Sequence, residues 1–221
     1  REFVDQFDGY LNTYEEEVEG RKLDGVAVLQ LVADRHSVDP RLLLAALEFN
    51  ADWLTSQDPA EIETMMGNKT EGFEKLYKQL SWAANMLNLG FYGRVEGGMT
   101  SLSVGDTEVP YALHISDGTA AVQFYLAARD DVTLGEWQRD LEPDGFPAAY
   151  AGLFGDPLAD RPGPLLPDDL SQPAMLLPWT GGETWYFTGG PHGGWNTGSA
   201  WAALDFAPDD VEFGCGPSAR W

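Results

Sequence analysis

A proline-rich stretch, residues 155–178, is the feature that most limits what this chain can fold into. It holds six prolines in 24 residues, and such sequence is stiff, extended and unable to continue a helix. We interpret it as a linker or a strap between two structural parts. A chain of 221 residues has room for one or two domains. We therefore predict a helical domain over residues 1–154 and the beginning of a β domain over residues 179–221.

The sequence before the linker shows helical periodicity. Asp24 stands where it can cap a helix over residues 24–38, since an aspartate side chain accepts a hydrogen bond from the first turn. Asp39 and Pro40 are placed to cap and begin the next helix, over residues 39–54, because proline loses nothing at the first helical position. This second helix is apolar nearly all round, which predicts a buried, central position.

The rest of this part is predicted to contain four more helices and a loop or weak hairpin. An apolar stripe indicates a helix over residues 71–88 that ends at Gly90. Residues 93–117 are rich in glycine, serine and threonine and predict the loop or hairpin. The other helices are expected over residues 117–130 and in the short segments "TLGEWQRDL" and "GFPAAYAGLFG". The acidic segment 14–20 is interpreted as a solvated helix face.

Helical periodicity is lost after Trp179. The segments "ETWYFTGG" and "AWAALDFAP" are rich in aromatic residues and are punctuated by glycine pairs, a pattern typical of strands. The predicted fold class is therefore α+β, a mainly helical domain followed by the first strands of an antiparallel β domain. About 43 residues are few for a β domain that must fold alone.

The charge of the chain excludes several classes of partner. It carries 36 acidic and 13 basic residues, a net charge of -23, and so negative a surface repels nucleic acid and anionic lipid. No apolar run approaches the roughly 20 residues of a membrane span. The single cysteine, Cys215, excludes an internal disulfide and a thiolate cluster. So acidic a composition suits a soluble secreted protein or one that faces high salt, and solubility is the simpler reason for it. A first residue other than methionine suggests a mature or trimmed product.

One histidine and one aspartate in the β part have side chains that bind metals. His192 lies in a glycine-rich segment, and Asp205 follows 13 residues later in a predicted strand. Zinc in hydrolytic sites is held by histidine and carboxylate ligands with one position left for water. Their spacing alone favours an ordinary loop histidine and strand-end aspartate over a metal site.

A resemblance to a known family favours the metal site over the ordinary structural role. The sequence "LPWTGGETWYFTGGPHGGWNTGSAWAALDFAP" resembles the opening of the catalytic domain of LasA/lysostaphin-type zinc metalloendopeptidases, which cut peptide cross-bridges in bacterial cell walls. The resemblance implies that His192 and Asp205 are the first two zinc ligands. Four tryptophans, Trp179, Trp185, Trp195 and Trp201, are candidates to line a substrate groove, with Trp195 and Trp201 as the predicted substrate-binding residues, although packing within the β domain is the simpler explanation.

The same resemblance implies residues that this sequence does not contain. The family pattern has a later His-x-His motif that supplies the third ligand and a catalytic histidine, whereas no histidine follows His192. The catalytic residues are therefore expected beyond residue 221, in the missing part of the same peptidase domain or in another chain. The other two histidines, His36 and His114, are interpreted as surface or capping residues.

The helical part carries a second, looser resemblance. The segment "VDPRLLLAALEFNADWLT" resembles the first signature of lysozyme-like transglycosylase domains, in which a glutamate protonates the glycosidic oxygen. Asn50 occupies the position of that acid, and Glu48 lies about 200° away around the helix. The resemblance implies a lysozyme-like domain without glycosidase activity that holds glycan strands or packs on the peptidase. An unrelated helical bundle remains the alternative.

Two hypotheses follow. The first is a secreted cell-wall zinc metalloendopeptidase, present here as its helical domain and the start of its catalytic domain. The second is a module without catalytic activity that binds the cell wall or has a structural role, with a vestigial metal site.

Overall fold

The computed structural model describes residues 1–59, 61–95, 98–156, 171, 174, 176–177, 179–192 and 203–208, with residues 190–192 described by their backbone alone. Within these residues the chain forms six α-helices and three antiparallel strand pairs, which confirms the predicted α+β class. The elements are β1 (Glu15–Val18), β2 (Arg21–Asp24), α1 (Gly25–His36), α2 (Pro40–Ala51), α3 (Leu76–Val95), β3 (Ser101–Val104), β4 (Thr107–Pro110), α4 (Asp117–Ala128), α5 (Leu134–Asp140), α6 (Phe146–Phe154), β5 (Trp185–His192) and β6 (Ala203–Pro208).

The starts of α1 and α2 confirm the predicted caps. The carboxylate of Asp24 accepts a hydrogen bond from the backbone N–H of Ala27 at 2.9 Å. Asp39 accepts one from the N–H of Arg41 at 2.8 Å, and Pro40 is the first residue of α2. Each aspartate satisfies an N–H group that has no partner within its own helix.

Helix α2 is the central element that its composition predicts. Its middle residues, Leu43 to Leu47, are all buried. They belong to a single apolar core cluster whose members lie between Val4 and Phe146. Burial on nearly every side is the reason that this helix lacks a polar face.

The acidic segment is a β-hairpin, so its interpretation as a helix face is wrong. Strands β1 and β2 pair in antiparallel register, and Glu19 and Gly20 form the turn with φ angles of 53° and 75°. Burial alternates along β1, so Glu16 and Val18 are buried while their neighbours are exposed. Alternation with a period of two is the pattern of a half-buried strand.

Glu16 is buried because it binds the first turn of α3. Its carboxylate accepts a hydrogen bond from the N–H of Tyr77 at 2.7 Å, and the hydroxyl of Tyr14 accepts one from the N–H of Leu76 at 3.3 Å. The apolar stripe predicts a helix that starts at Glu71, but α3 begins at Leu76. These contacts explain the difference, because Glu16 of β1 and Tyr14 just before β1 cap the helix at Leu76.

Helix α3 also continues through Gly90 to Val95, so the prediction that Gly90 ends it is wrong. A Cβ atom added at Gly90 would lie 2.6 Å from Cβ of Phe124 and 2.8 Å from Cα of Ala121. Glycine is needed here because α4 packs directly against the α3 backbone, not because the helix stops.

Two histidines have different environments. His36, predicted to be a surface or capping residue, is only 1% exposed at the end of α1, so that interpretation is wrong. Its side chain is taken into the core by the packing of α1 on α3. His114 is exposed, in the loop before α4.

The remaining local predictions are confirmed. Strands β3 and β4 form a hairpin in which Gly105, with a φ of 55°, occupies the turn. Helices α4, α5 and α6 occupy the three predicted segments, and Thr133 and Glu136 form a capping box at the start of α5. Among the described residues, no helix combines the length and apolar character that crossing a membrane requires.

Candidate metal-binding hairpin and polar cleft

The two predicted zinc ligands lie on one β-hairpin. Strands β5 and β6 pair in antiparallel register, with Trp185 opposite Pro208 and Phe187 opposite Phe206. The register then shifts at the glycines that follow Phe187, as expected where glycine weakens a strand and permits a bulge.

The register brings residues 192 and 205 to neighbouring strands. His192 is opposite Ala203, and Asp205 is opposite Gly189. Ala203 and Asp205 are two positions apart on β6, so the backbone at position 192 lies beside the same segment of β6 that carries the aspartate. The imidazole of His192 lies outside what the structure describes.

Asp205 occupies an exposed position above Gly189. A Cβ atom added at Gly189 would come within 3.6 Å of Oδ2 of Asp205, and the aspartate is exposed to solvent. Oδ2 of Asp205 is therefore at ordinary van der Waals distance from that position, so the carboxylate lies next to the β5 backbone at Gly189. Its exposure to solvent spares it the desolvation that burial would impose.

The donor types suit zinc, although two donors do not complete a site. Imidazole nitrogen and carboxylate oxygen are both common zinc ligands, and catalytic sites have three protein ligands. Across the described part of the chain, no group of three or more histidine, cysteine, aspartate or glutamate residues could hold a metal. Trp195 and Trp201, the predicted substrate-binding residues, lie outside the described residues.

Aromatic residues pack along one side of the hairpin. Trp179 stacks on Trp185 with ring centroids 4.9 Å apart and contacts Phe206 at the same distance. Phe187, next to Phe206 across the strands, remains 59% exposed. These contacts favour a packing role for Trp179 and Trp185, while the exposed Phe187 leaves apolar surface on the hairpin.

A polar cleft in the helical part contains the residue that the looser resemblance singles out. The cleft has a volume of about 620 Å³, and Asn50, at the position of the transglycosylase acid, is part of its wall. The other side chains around it are mainly charged: Glu61, Lys69, Arg129, Asp130, Asp131, Glu136 and Asp140. Glu48 is occupied elsewhere, because its carboxylate accepts hydrogen bonds from the N–H of Leu54 and the hydroxyl of Thr55.

Asn50 is held by a network of hydrogen bonds. Its amide nitrogen donates to the carbonyl of Ala46 at 2.6 Å and to the hydroxyl of Tyr125 at 2.8 Å. The Tyr125 hydroxyl donates in turn to the carbonyl of Met66 at 3.2 Å. Burial raises the pKa of Tyr125 well above its usual value, so the hydroxyl keeps its proton and remains a donor.

Arg129 closes the network from the other side. Its guanidinium donates to Oδ1 of Asn50 at 2.9 Å, forms an ion pair with Asp140 and donates to the carbonyl of Leu126 at 3.1 Å. A Cβ atom added at Gly67 would lie 2.5 Å from Cγ of Arg129, so the glycine makes space for the arginine. The arrangement fixes Asn50 as a neutral hydrogen-bonding group, and an amide has no acidic proton to give to a glycosidic oxygen.

Sequence reasoning identified Asn50 but not the partners that hold it. Arg129 is separated from Asn50 by 79 residues and Tyr125 by 75, and no local pattern links such distant positions. The one signal in the sequence is the glycine at position 67, since a glycine outside a regular element often marks a close approach.

Comparisons with known proteins give one match. A family model described as "LasA, N-terminal domain" matches residues 1–167 of the 221 residues. No match was found among curated proteins or solved structures. The matched region contains helices α1 to α6 and the polar cleft, and it ends before the β5–β6 hairpin.

Proposed function

Because this chain belongs to the LasA N-terminal domain family, we propose that it is part of a secreted bacterial zinc metalloendopeptidase. In this proposal its substrates are the peptide cross-bridges of cell-wall peptidoglycan, and it acts outside the cell or in the cell envelope. His192 and Asp205 are two of the zinc ligands, and the remaining ligand and the catalytic histidine come from a part of the peptidase domain that follows residue 221.

The observation that carries the proposal is the pairing of β5 with β6. A histidine and an aspartate 13 residues apart have no reason to meet in an irregular segment, whereas the hairpin register brings position 192 beside the β6 segment that carries Asp205. The side chain of Asp205 is exposed to solvent next to Gly189 of β5. Zinc held there would lower the pKa of a bound water and polarise a peptide carbonyl.

The residues of this chain have binding roles in that chemistry. The Asp205 carboxylate supplies negative charge that favours a dication, and the His192 imidazole must be neutral to ligate. Apolar side chains on the hairpin also support the proposal: Tyr186, Phe187 and Leu204 are all more than half exposed. A two-stranded hairpin with so much exposed apolar surface is marginal alone, which is consistent with a place in a larger sheet.

The test uses the full-length gene product, with whatever residues follow position 221. We expect about one zinc ion per chain and cleavage of purified peptidoglycan cross-bridges. The variants His192→Ala and Asp205→Ala should each lose most of the bound zinc and the cleavage, because each removes a ligand. The matched controls are His114→Ala and Asp106→Ala, which remove the same residue types from loops. Both variants should keep the bound zinc and the cleavage activity.

Two results would contradict the peptidase proposal. One is a full-length product that lacks a His-x-His motif after residue 221. The other is zinc content that stays unchanged in both ligand variants.

A second candidate function is supported by the polar cleft. A cell-wall-binding module without catalytic activity needs a site for glycan strands, and the cleft around Asn50 offers hydrogen-bonding groups held in place by Arg129 and Tyr125. Saccharide hydroxyls pair with such groups. The 221-residue chain should then co-sediment with insoluble peptidoglycan from which the peptides have been removed. Replacement of Asn50 by alanine should weaken this binding, and the same change at the distant Asn12 should not.

A further inference from the structure

His36 is a buried ionisable residue for which the proposed function has no role. It is the last residue of α1 and is 1% exposed. Its backbone carbonyl accepts a hydrogen bond at 2.8 Å from the side chain of Asn88, a buried residue of α3. The imidazole is also close to α3, because the side chain of Asn85 acts on its pKa, and α1 and α3 pack extensively against each other.

The surroundings of the imidazole favour its neutral form. Burial lowers the pKa of His36 to about 4, and the positive charge of Arg35 contributes in the same direction. A side-chain interaction with Asn85 of α3 acts in the opposite direction and raises the pKa, although neither ring nitrogen has a partner in hydrogen-bond geometry within the described residues. A charged imidazolium at this position would therefore be desolvated without a compensating anion close to it.

The nearby charged groups already have partners. The Arg35 guanidinium forms an ion pair with Glu19 of the β1–β2 hairpin at 2.7 Å and donates a hydrogen bond to the hydroxyl of Tyr77 of α3, also at 2.7 Å. The Glu19 carboxylate is thus engaged by Arg35. Arg35 is the charged group that acts on the pKa of His36. The elements packed against α1 carry the following other titratable groups: Tyr10 in the turn before β1, Glu15, Glu16, Glu17, Glu19, Arg21, Lys22 and Asp24 in the hairpin, Arg41 and Glu48 in α2, and Tyr77, Lys78, Tyr92 and Arg94 in α3.

We propose that His36 is an acid-sensitive latch between α1 and α3, whose packing is stable while the imidazole is neutral and is weakened when it gains a proton. The proposal does not depend on the peptidase activity. It predicts that the LasA-type N-terminal domain loosens in acidic surroundings, whatever function it serves.

The lowered pKa of His36 determines the direction in which the stability of the fold changes with pH. Above about pH 6.5 the imidazole is neutral in the folded and unfolded states, so its contribution to stability is complete. Between about 6.5 and about 4 the unfolded state binds a proton that the folded state excludes, and stability falls. Each pH unit in this window multiplies the unfolding constant by up to about ten. Below about pH 4 both states bind the proton and the loss stops.

Glu16 has the opposite effect in an overlapping range. Burial raises the pKa of Glu16, so the folded state binds a proton more readily than the unfolded state and gains stability as the pH falls. This gain disappears as the pH rises through the raised pKa. The contribution of His36 must therefore be read from the difference between variants and not from one pH profile.

The experiment compares urea unfolding of the 221-residue protein with that of His36→Gln between pH 4.5 and 7.5. The neutral glutamine should remove the part of the stability change that comes from protonation of His36. The ratio of the two unfolding constants should therefore change by up to about tenfold per pH unit between about pH 6.5 and 4.5. The control His114→Gln, at an exposed histidine, should follow the original protein. Hydrogen exchange of α1 and α3 amides should rise on acidification in the original protein and rise much less in His36→Gln.

The latch is overturned if His36→Gln has the same pH dependence as the original protein, or if His114→Gln removes that dependence. A second measurement applies if His36→Gln fails to fold. Nuclear magnetic resonance titration of the imidazole in the unaltered protein should give a pKa well below 6, and a pKa at or above 6.5 would overturn the proposal.

Discussion

At the scale of the residue, Glu16 shows how one carboxylate can define where a distant helix begins. It is separated by 61 residues from Tyr77, whose N–H it binds, and it shares this task with Tyr14. A helix start leaves N–H groups without partners, and two of those of α3 bind side chains of Tyr14 and Glu16, far away in the sequence. The raised pKa of Glu16 reflects the desolvation that accompanies this position.

We expect Glu16→Ala to lower the free energy of unfolding by about 1–2 kcal/mol, because the cap of α3 is lost. Glu16→Gln retains an oxygen acceptor and should have a smaller effect. Chemical denaturation at pH 7 measures both. The control is Glu17→Ala, which changes the exposed neighbour on the same strand and should be nearly neutral. Equal effects of Glu16→Ala and Glu17→Ala would contradict the capping role.

At the scale of the element, the contact between α3 and α4 depends on Gly90. The backbone of α3 approaches Phe124 and Ala121 so closely that no other residue fits without a shift. A glycine in a helix interior is normally unfavourable, and the packing of the two helices offsets this cost. The same glycine looks like a helix end in the sequence, because the pattern of one helix contains no information about its neighbour.

Gly90→Ala should destabilise the protein by about 1–3 kcal/mol, as overpacking of a close helix contact does. The same substitution at Gly152, inside α6, should stabilise it by about 0.5–1 kcal/mol, because an added Cβ there meets no described atom within 4 Å. Thermal and urea unfolding compare the two variants. A neutral or stabilising Gly90→Ala would show that α3 and α4 can move apart freely.

At the scale of the whole molecule, the buried apolar core lies within the helical part. All members of the described core cluster lie between Val4 and Phe146, and the family match covers the same region. The β5–β6 hairpin has exposed aromatic residues instead. The cooperative stability of the described chain therefore comes from the helices and the two hairpins that pack with them.

A chain that ends after Asp156 should keep a single cooperative thermal transition, with a Tm within a few degrees of that of the 221-residue protein. Removal of α6 as well, with an end after Asp144, should lower the Tm clearly. This shorter chain loses Phe146, which is buried and packs edge-on against Phe49, and such a loss costs about 3–5 kcal/mol. Calorimetry of both chains tests this, and loss of the transition in the longer one would place part of the core after residue 156.

The predictions that the structure confirms rest on short-range signals. Asp24 caps α1 and Asp39 with Pro40 begins α2, because the capping oxygen and the N–H groups it serves are two or three residues apart. The turn at Gly105 is equally local. The assignment of His192 and Asp205 to a zinc site stays a prediction from resemblance, and Trp195 and Trp201 lie outside the described residues.

The sequence by itself determined the helices with strong caps and apolar stripes, the α+β class and the family resemblance, since these depend on neighbouring residues and on their order. Only the tertiary structure decided that the acidic segment is a hairpin, that His36 is buried, that Gly90 lies inside a helix and that Asn50 is held by Arg129 and Tyr125. The last three depend on residues about 30 to 80 positions apart. The hairpin pairs residues at most nine positions apart, but the burial of its Glu16 depends on Tyr77, 61 positions away. Such contacts form only when the core closes, because loop-closure entropy must be overcome by burial and hydrogen bonding together.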